Sequence, residues 1–277
     1  MRAMQRVRTT SAMPVAIDVG SSCLRIAEAD GVVREHRLPQ RPPYAVTRGS
    51  IADPQTFQRE VRALVRRRRG GLVHVSIPAG STPDAHGPTL QGIAKALGAS
   101  AVVGIPSSLA ALRGAYRTGP ALVVDVGAQL IEVSWVDHEG IVEGAAVPWG
   151  TVDLESALAQ SVGERHRMRL APFHLGSFWA GSTITGRCAL AGSVKVVRVD
   201  RHDIVQAVHP HMDDVVRLIQ RVMDNQSARE PAQHDLLLVG GGAAVRDLRS
   251  YLEARTRLRL VVPARPARAV VTGLLAA

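Results

Sequence analysis

Residues 15–33 read VAIDVGSSCLRIAEADGVV and residues 122–142 read LVVDVGAQLIEVSWVDHEGIV. Each is an apolar run ending in Asp-Val-Gly, then a short turn, a second run of strand character, and an acidic residue close to a glycine. The two aspartates, Asp18 and Asp125, stand 107 positions apart, far beyond the roughly 20–50-residue period of stacked repeats. That spacing points to a duplicated domain. The segments between the copies fit it. LVHVSIP (72–78) and SAVVGIP (100–106) read as strands, Pro83 to Leu97 includes a helix, and SSLAALRGAYR reads as a helix opened by a Ser cap. The second half has strands at 121–126, 131–136 and 141–147, then a helix over Asp153–Gln160. It continues with HDLLLVGGG as a buried strand entering a Gly turn, a helix over Ala243–Arg255, a strand LRLVVP and a closing helix AVVTGLLA. Strands with crossover helices in two similar halves predict a duplicated α/β architecture.

At 277 residues and 46% apolar content the chain can bury a real core in one large or two medium domains. No apolar run is long enough to span a bilayer and no signal-peptide pattern opens the chain. Two cysteines, Cys23 and Cys188, are too few for a disulfide scaffold and match no zinc spacing, so a reduced, cytosolic protein is expected. Residues 1–13 read as a loose basic tail, with weak anchoring to an anionic membrane surface as the functional alternative. The formal charge of +10 is nearly all arginine, since Lys95 and Lys195 are the only lysines. Arg66–Arg69 follow a predicted helix over Pro54–Val65 and complement its C-terminus. Arg246, Arg249, Arg255, Arg257 and Arg259 form a second basic series. With aromatics at 3%, stacking on bases has little to work with, and nucleic acid is not an expected partner.

The turns carry the chemistry. A tight turn between strands presents backbone N–H groups to phosphate oxygens, and an Asp at the end of the first strand can hold Mg²⁺ through water. Asp18 with Gly20, Ser21 and Ser22 fits that description, and Asp125 with Gly127 supplies a facing copy. Gly240, Gly241 and Gly242, after an apolar strand and before a helix, add a third close-approach site. No G-x-x-x-x-G-K-[ST], G-x-G-x-x-G or G-x-S-x-G pattern competes. His209-Pro210-His211 with Asp213 and Asp214 has metal-ligating chemistry but is placed at the start of an amphipathic helix, where acidic residues are at home. Phe173, Phe178 and Trp179 form an aromatic cluster readable as core or as a partner patch.

On these motifs the sequence resembles the actin and Hsp70-type ATPase superfamily, and within it most closely the bacterial actins of the MreB family. AIDVGSS resembles the first phosphate loop, VVDVGAQLIEV the second, and LLLVGGGAAVRDLRSYL the adenosine motif. GSIADPQTFQREVRALV, VSIPAG, GASAVVGIPSSLAALRGA and LRLVVPARPARAVVTGLL are similar in order and spacing to other segments of the family. The resemblance implies a duplicated actin-like (ribonuclease H-like) fold. Domain I spans 14–118 and lacks most of its outer subdomain, domain II spans 119–263, and a C-terminal helix within 264–277 returns to domain I. It further implies a cleft for ATP or ADP with Mg²⁺, Asp18 anchoring the metal through water, Ser21 and Ser22 as phosphate contacts, and Asp125 as a second carboxylate. A function in cell shape or envelope growth follows, through assembly with itself or with a full-length MreB-like protein. A non-polymerising actin-fold scaffold or regulator is the alternative.

The departures point to weakened or lost hydrolysis. The family's second loop is typically D-x-G-G-G-T-T, whereas here Ala128 and Gln129 follow Gly127 with side chains that restrict φ > 0, and Leu130 offers no hydroxyl. Where the family carries Glu-Glu-Pro before a helix, this chain has Pro106-Ser107-Ser108, so the water-positioning carboxylate is missing there. The family's acidic and Lys contacts to adenosine are not evident around Arg165–Ser193.

Overall fold

A computed structural model describes the protein over residues 14–39, 42–65, 71–79, 86–117, 119–137, 140–170, 183–188, 192–225, 235–245 and 248–277. The first half opens with a meander, β1 (Val15–Val19), β2 (Cys23–Ala27) and β3 (Val33–Arg37). A small hairpin, β4 (Val46–Thr47) and β5 (Ser50–Ile51), leads into α1 (Pro54–Leu64), β6 (Leu72–Ile77), α2 (Gly87–Leu97), β7 (Ala101–Pro106) and α3 (Ser107–Gly114). The second half repeats the plan with β8 (Ala121–Val126), β9 (Ile131–Val136), β10 (Ile141–Val147) and α4 (Thr151–His166). A small sheet of β11 (Met168–Leu170), β12 (Thr183–Cys188) and β13 (Val194–Arg198) is inserted before α5 (Arg201–Asp224). Then follow β14 (Leu236–Val239), a 3-10 turn at Gly241–Ala244, α6 (Leu248–Thr256), β15 (Leu260–Val261), a 3-10 turn at Pro266–Arg268 and α7 (Ala269–Leu275).

The two main sheets are five-stranded and share one topology, β3-β2-β1-β6-β7 and β10-β9-β8-β14-β15. In each, the meander is antiparallel and the last two strands join parallel beside its first strand. The central strands β1 and β14 are buried along their whole length, which is why their sequences are near-continuous apolar runs rather than alternating ones. One core lies between the first sheet and α1 and α2, around Ile17, Leu24, Ile26, Phe57, Val61 and Ile93. A second lies between the other sheet and α4, α5 and α6, around Leu122, Ile131, Leu154, Leu158 and Ile219. A third joins the halves: Ala16 and Ala27 meet Val123, Leu237 and Val239 through α3 and α7.

That third core depends on two glycines at equivalent places. A Cβ on Gly114 of α3 would overlap the carbonyl of Ala269, and one on Gly273 of α7 would overlap that of Ala110. Small residues four apart on both helices let the backbones touch where they cross. In addition α7 packs on β1 and β6, and His74 Nδ1 lies 2.7 Å from the Leu274 carbonyl.

Local signals explain the helix starts. Asp53 caps α1 by accepting from the N–H groups of Gln55 and Thr56 (3.0 and 3.4 Å), with Pro54 at the first position. Asp200 and Asp203 form a reciprocal capping box on α5, each accepting from the other's backbone N–H at 3.0 Å, and Arg165 donates to both carboxylates. This start moves the His209–Asp214 stretch into the helix interior, around Pro210, rather than to its N-terminus. Its histidines meet rings, His211 edge-on to Trp149 and His209 tilted against Tyr251, and among the described residues no group of His, Cys, Asp or Glu is arranged for a metal ion. Two further expectations change. Pro106, not a serine, precedes α3, and Ser107 sends its hydroxyl elsewhere. The Gly triplet enters a four-residue 3-10 turn over Gly241–Ala244, where the helix was expected to begin at Ala243, and the α-helix described after it covers Leu248–Thr256.

In the second basic series, Arg249, Arg255 and Arg259 pair with Glu253, Asp213 and Asp235, so these three are not open cations. Residues 1–13, Arg66–Arg69, Arg246 and the cluster of Phe173, Phe178 and Trp179 lie outside the described residues. No helix among the described residues is long and apolar enough to cross a membrane.

Candidate functional site

The two halves meet over a cavity of about 130 Å³. Its walls include Asp18, Gly20, Ser21 and Ser22 from the β1–β2 turn, Asp125 and Gly127 from the β8–β9 turn, and Gly240 and Gly241 after β14. Eight of the nine residues singled out from the sequence thus face one space, although they come from three distant stretches. The ninth, Gly242, is buried behind the wall, where a Cβ would run into the Val126 side chain.

The two turns are built alike. Each joins paired strands through four residues, Gly20–Cys23 and Gly127–Leu130, and a Cβ on either leading glycine would lie 2.7 Å from the carbonyl oxygen three residues on. Neither Ala128, Gln129 nor Leu130 has positive φ. The second turn therefore keeps the shape of the first without extra glycines. Gly240 does need to be glycine. Its φ is +84°, and a side chain there would collide with the Asp125 carboxylate and the Val126 carbonyl.

Across each hairpin the Asp faces the residue seven positions on. Asp18 is in register with Arg25, and Asp125 with Glu132. Asp18 is buried, with Oδ2 accepting from Arg25 Nη1 and Oδ1 from Ser76 Oγ, both at 3.2 Å. Ser76 Oγ in turn accepts from the Val19 N–H at 2.9 Å. Burial raises the Asp18 carboxyl above the usual range, and Arg25 opposes that shift. Arg25 also lies 3.7 Å from Glu35, which pairs with Arg268 at 2.7 Å, so a chain of charges runs from the cavity to the start of α7. Glu132 spans the halves: its carboxylate accepts from the Ala79 N–H (2.5 Å) beyond β6 and from Ser107 Oγ (2.8 Å) at the start of α3. Asp125 sits deep in the cleft beside it. Burial foremost, then the charges of Glu132 and Asp18, push its carboxyl up to about 8, while Arg25 pulls the other way.

These partners bear on the metal expectation. Both oxygens of Asp18 and both of Glu132 are already bonded to protein donors, and Asp125 is largely uncharged at neutral pH. A carboxylate oxygen accepts two hydrogen bonds and Mg²⁺ keeps several of its own waters, so the single donor on each Asp18 oxygen leaves acceptor positions for the water-mediated Mg²⁺ anchor expected there. The residues that sequence reading missed are Arg25, Ser76, Ser107 and Glu132. Arg25 and Glu132 were within reach of it, since a four-residue turn sets an Asp opposite the residue seven later.

A family model described as MreB/Mbl protein matches residues 43–277. The chain belongs to the MreB/Mbl family. The cell shape-determining protein MreB of Escherichia coli (strain K12) is 25% identical over 240 residues, covering 79% of this chain and 68% of that protein. Among solved structures, MreB5 of Spiroplasma citri bound to ADP superposes with a TM-score of 0.80 at 14% identity, over 94% of each chain. The MamK double helical filament superposes at 0.78 and 14% identity, over 95% of this chain and 98% of that one. The fold is the duplicated actin-like one, with its two mixed sheets. The β1–β2 turn lies before the segment matched to the MreB/Mbl family, and it is the shared topology of the sheets that pairs it with the β8–β9 turn.

Proposed function

We propose that this chain is an actin-like nucleotide-binding protein of bacterial cell shape or envelope growth, with ATP hydrolysis slow or absent. The observation that carries this reading is the convergence of both hairpin turns and the Gly240–Gly241 turn on one cavity. Backbone N–H groups of Gly20–Cys23 and Ala128–Leu130 and the hydroxyls of Ser21 and Ser22 offer donors for a phosphate chain, and Arg25 adds the positive charge. MreB5 of Spiroplasma citri binds ADP in its solved structure, and a solved MamK is a filament. By analogy this chain takes ATP or ADP and assembles with itself or with a full-length MreB-like protein, on the cytoplasmic side. An anionic membrane surface is a secondary partner through the basic tail at residues 1–13.

Slow hydrolysis follows from the carboxylates. Pro106-Ser107-Ser108 supplies none at the start of α3. The one that reaches Ser107 is Glu132, committed to two protein donors, and a protonated Asp125 cannot take a proton from water. A second reading, a non-polymerising scaffold, is favoured by the bonds that hold the halves together across a small cavity. ATP titration by calorimetry, followed by sedimentation with and without ATP, separates these. Nucleotide binding with pelleting polymer supports the first reading. Binding without polymer supports the second, and no binding at millimolar ATP removes the nucleotide reading altogether.

A further inference from the structure

The small sheet inserted into the second half, β11-β12-β13, holds charge that the cleft does not use. Its strands read MRL, TITGRC and VKVVR, with the cations Arg169, Arg187, Lys195 and Arg198 and no Asp or Glu. The registers Arg169↔Arg187 and Arg187↔Val194 set these three on one face, and alternation along β13 adds Val196 and Arg198. The other face is the packed one. Met168 and Val197 are buried there, and Lys195 donates to the His166 carbonyl at the end of α4. The first face is open to solvent: Arg169, Arg187 and Arg198 are exposed, and Val194 and Val196 keep 67% and 63% of their surface accessible. Among the described residues none of the three arginines has a carboxylate partner, and Asp200 and Asp203, just beyond β13, are committed to Arg165.

Two features mark a binding face rather than a merely solvated one. Arg169 and Arg187 stand directly opposite each other across β11 and β12, where like charges repel and cost stability. Packing alone has no use for such a pair, whereas a bound carboxylate turns the repulsion into charge-assisted bonds. The two exposed valines then lie between that pair and Arg198. Val194, in register with Arg187, and Arg198 are about 13 Å apart along β13 at the usual rise of a strand. An extended peptide spans that length with acidic residues four positions apart and an apolar residue between them. A bilayer surface is gripped by Trp and Tyr and single-stranded nucleic acid by stacking on rings, and these strands carry no aromatic residue.

We propose that the exposed face of the β11-β12-β13 sheet is a docking site for an acidic, extended peptide segment of a partner protein. Arg169 and Arg187 take carboxylates at one end of the segment, Arg198 takes those at the other, and Val194 and Val196 meet the apolar residue between. None of these residues lines the cavity between the halves, so docking requires neither nucleotide nor polymer.

The test is fluorescence anisotropy of a labelled peptide, Glu-Glu-Val-Ser-Val-Glu-Glu, titrated with the full chain, beside its Gln-Gln-Val-Ser-Val-Gln-Gln counterpart and the Arg187→Glu variant. The wild type binds the acidic peptide, more weakly as salt is raised, and binds the Gln peptide about tenfold more weakly or worse. Arg187→Glu loses about tenfold or more in affinity for the acidic peptide. It unfolds in urea no earlier than the wild type, because a carboxylate opposite Arg169 replaces repulsion with attraction. If that variant does unfold early, Arg169→Glu, which makes the same opposite-charge pair from the other strand, is read in its place. Equal binding of the two peptides, equal binding by wild type and variant, or no binding of the acidic peptide at millimolar concentration would overturn the proposal. So would binding of phosphatidylglycerol vesicles but not of the peptide, which gives the face to lipid. Self-association lost in Arg187→Glu, with no peptide bound by the wild type, would overturn it in favour of a second copy.

Discussion

At Asp125 a carboxyl group shares the cleft with Glu132, Asp18 and Arg25, and its titration is held at about 8. In the unfolded chain the same group titrates near about 4. Between those values the folded protein binds more protons than the unfolded one. The stabilisation from this group is therefore complete below about pH 4 and is lost as the pH rises through about 8. Unfolding free energy should fall across that window by up to about 1.4 kcal/mol per pH unit, and Asp125→Asn should flatten the decline. Denaturant titrations at pH 5, 6, 7 and 8 check this, and equal slopes in the two proteins would exclude it. The Asp18–Arg25 pair makes a second prediction. Each side chain exposes less than a fifth of its surface, so Arg25→Ala leaves a buried carboxylate uncompensated, which costs about 3–5 kcal/mol. The loss should be much smaller in an Asp18→Asn background, a coupling that a double-mutant cycle measures directly.

Among the elements, the crossing of α3 and α7 is the most tightly constrained, because at Gly114 and Gly273 the obstacle to a side chain is backbone and not a movable side chain. Gly114→Ala should cost about 1–3 kcal/mol or more by forcing the helices apart, whereas Gly92→Ala, with open space around it in α2, should be neutral or mildly stabilising. Urea unfolding of the two variants side by side distinguishes close packing from a general intolerance of alanine. At the other end of the second half, Asp200→Ala removes a capping carboxylate of α5 and one of the two acceptors of Arg165. A loss of about 1 kcal/mol is expected in the same assay.

Over the whole molecule the two halves are joined by the apolar contacts of α3 and α7 and by the polar contacts of Glu132. Glu132→Ala should leave each half folded, since its partners are in the other layers of the cleft, while allowing the halves to part. The expected signature is a larger radius of gyration by small-angle scattering, with far-UV circular dichroism unchanged. A radius equal to that of the wild type would show that the other contacts between the halves, the α3–α7 packing foremost, fix the closed arrangement without Glu132.

The sequence by itself determined the two-fold plan of this protein. Both Asp-Val-Gly hairpins, the buried runs of β1, β8 and β14, and the Asp-Pro start of α1 are local patterns, set by side-chain periodicity and by bonds between near neighbours. It also named the residues of the two hairpin turns and of the Gly240–Gly241 turn. Other features were decided only when the halves came together. Ser107 left its expected cap for Glu132, the β4–β5 turn closed on Ser21 and Gln129, and the Asp125 carboxyl was pushed up to about 8. Each depends on the burial and electric field produced by groups dozens of residues apart in the chain. Desolvation and charge are properties of a place in space, and no local pattern encodes that place.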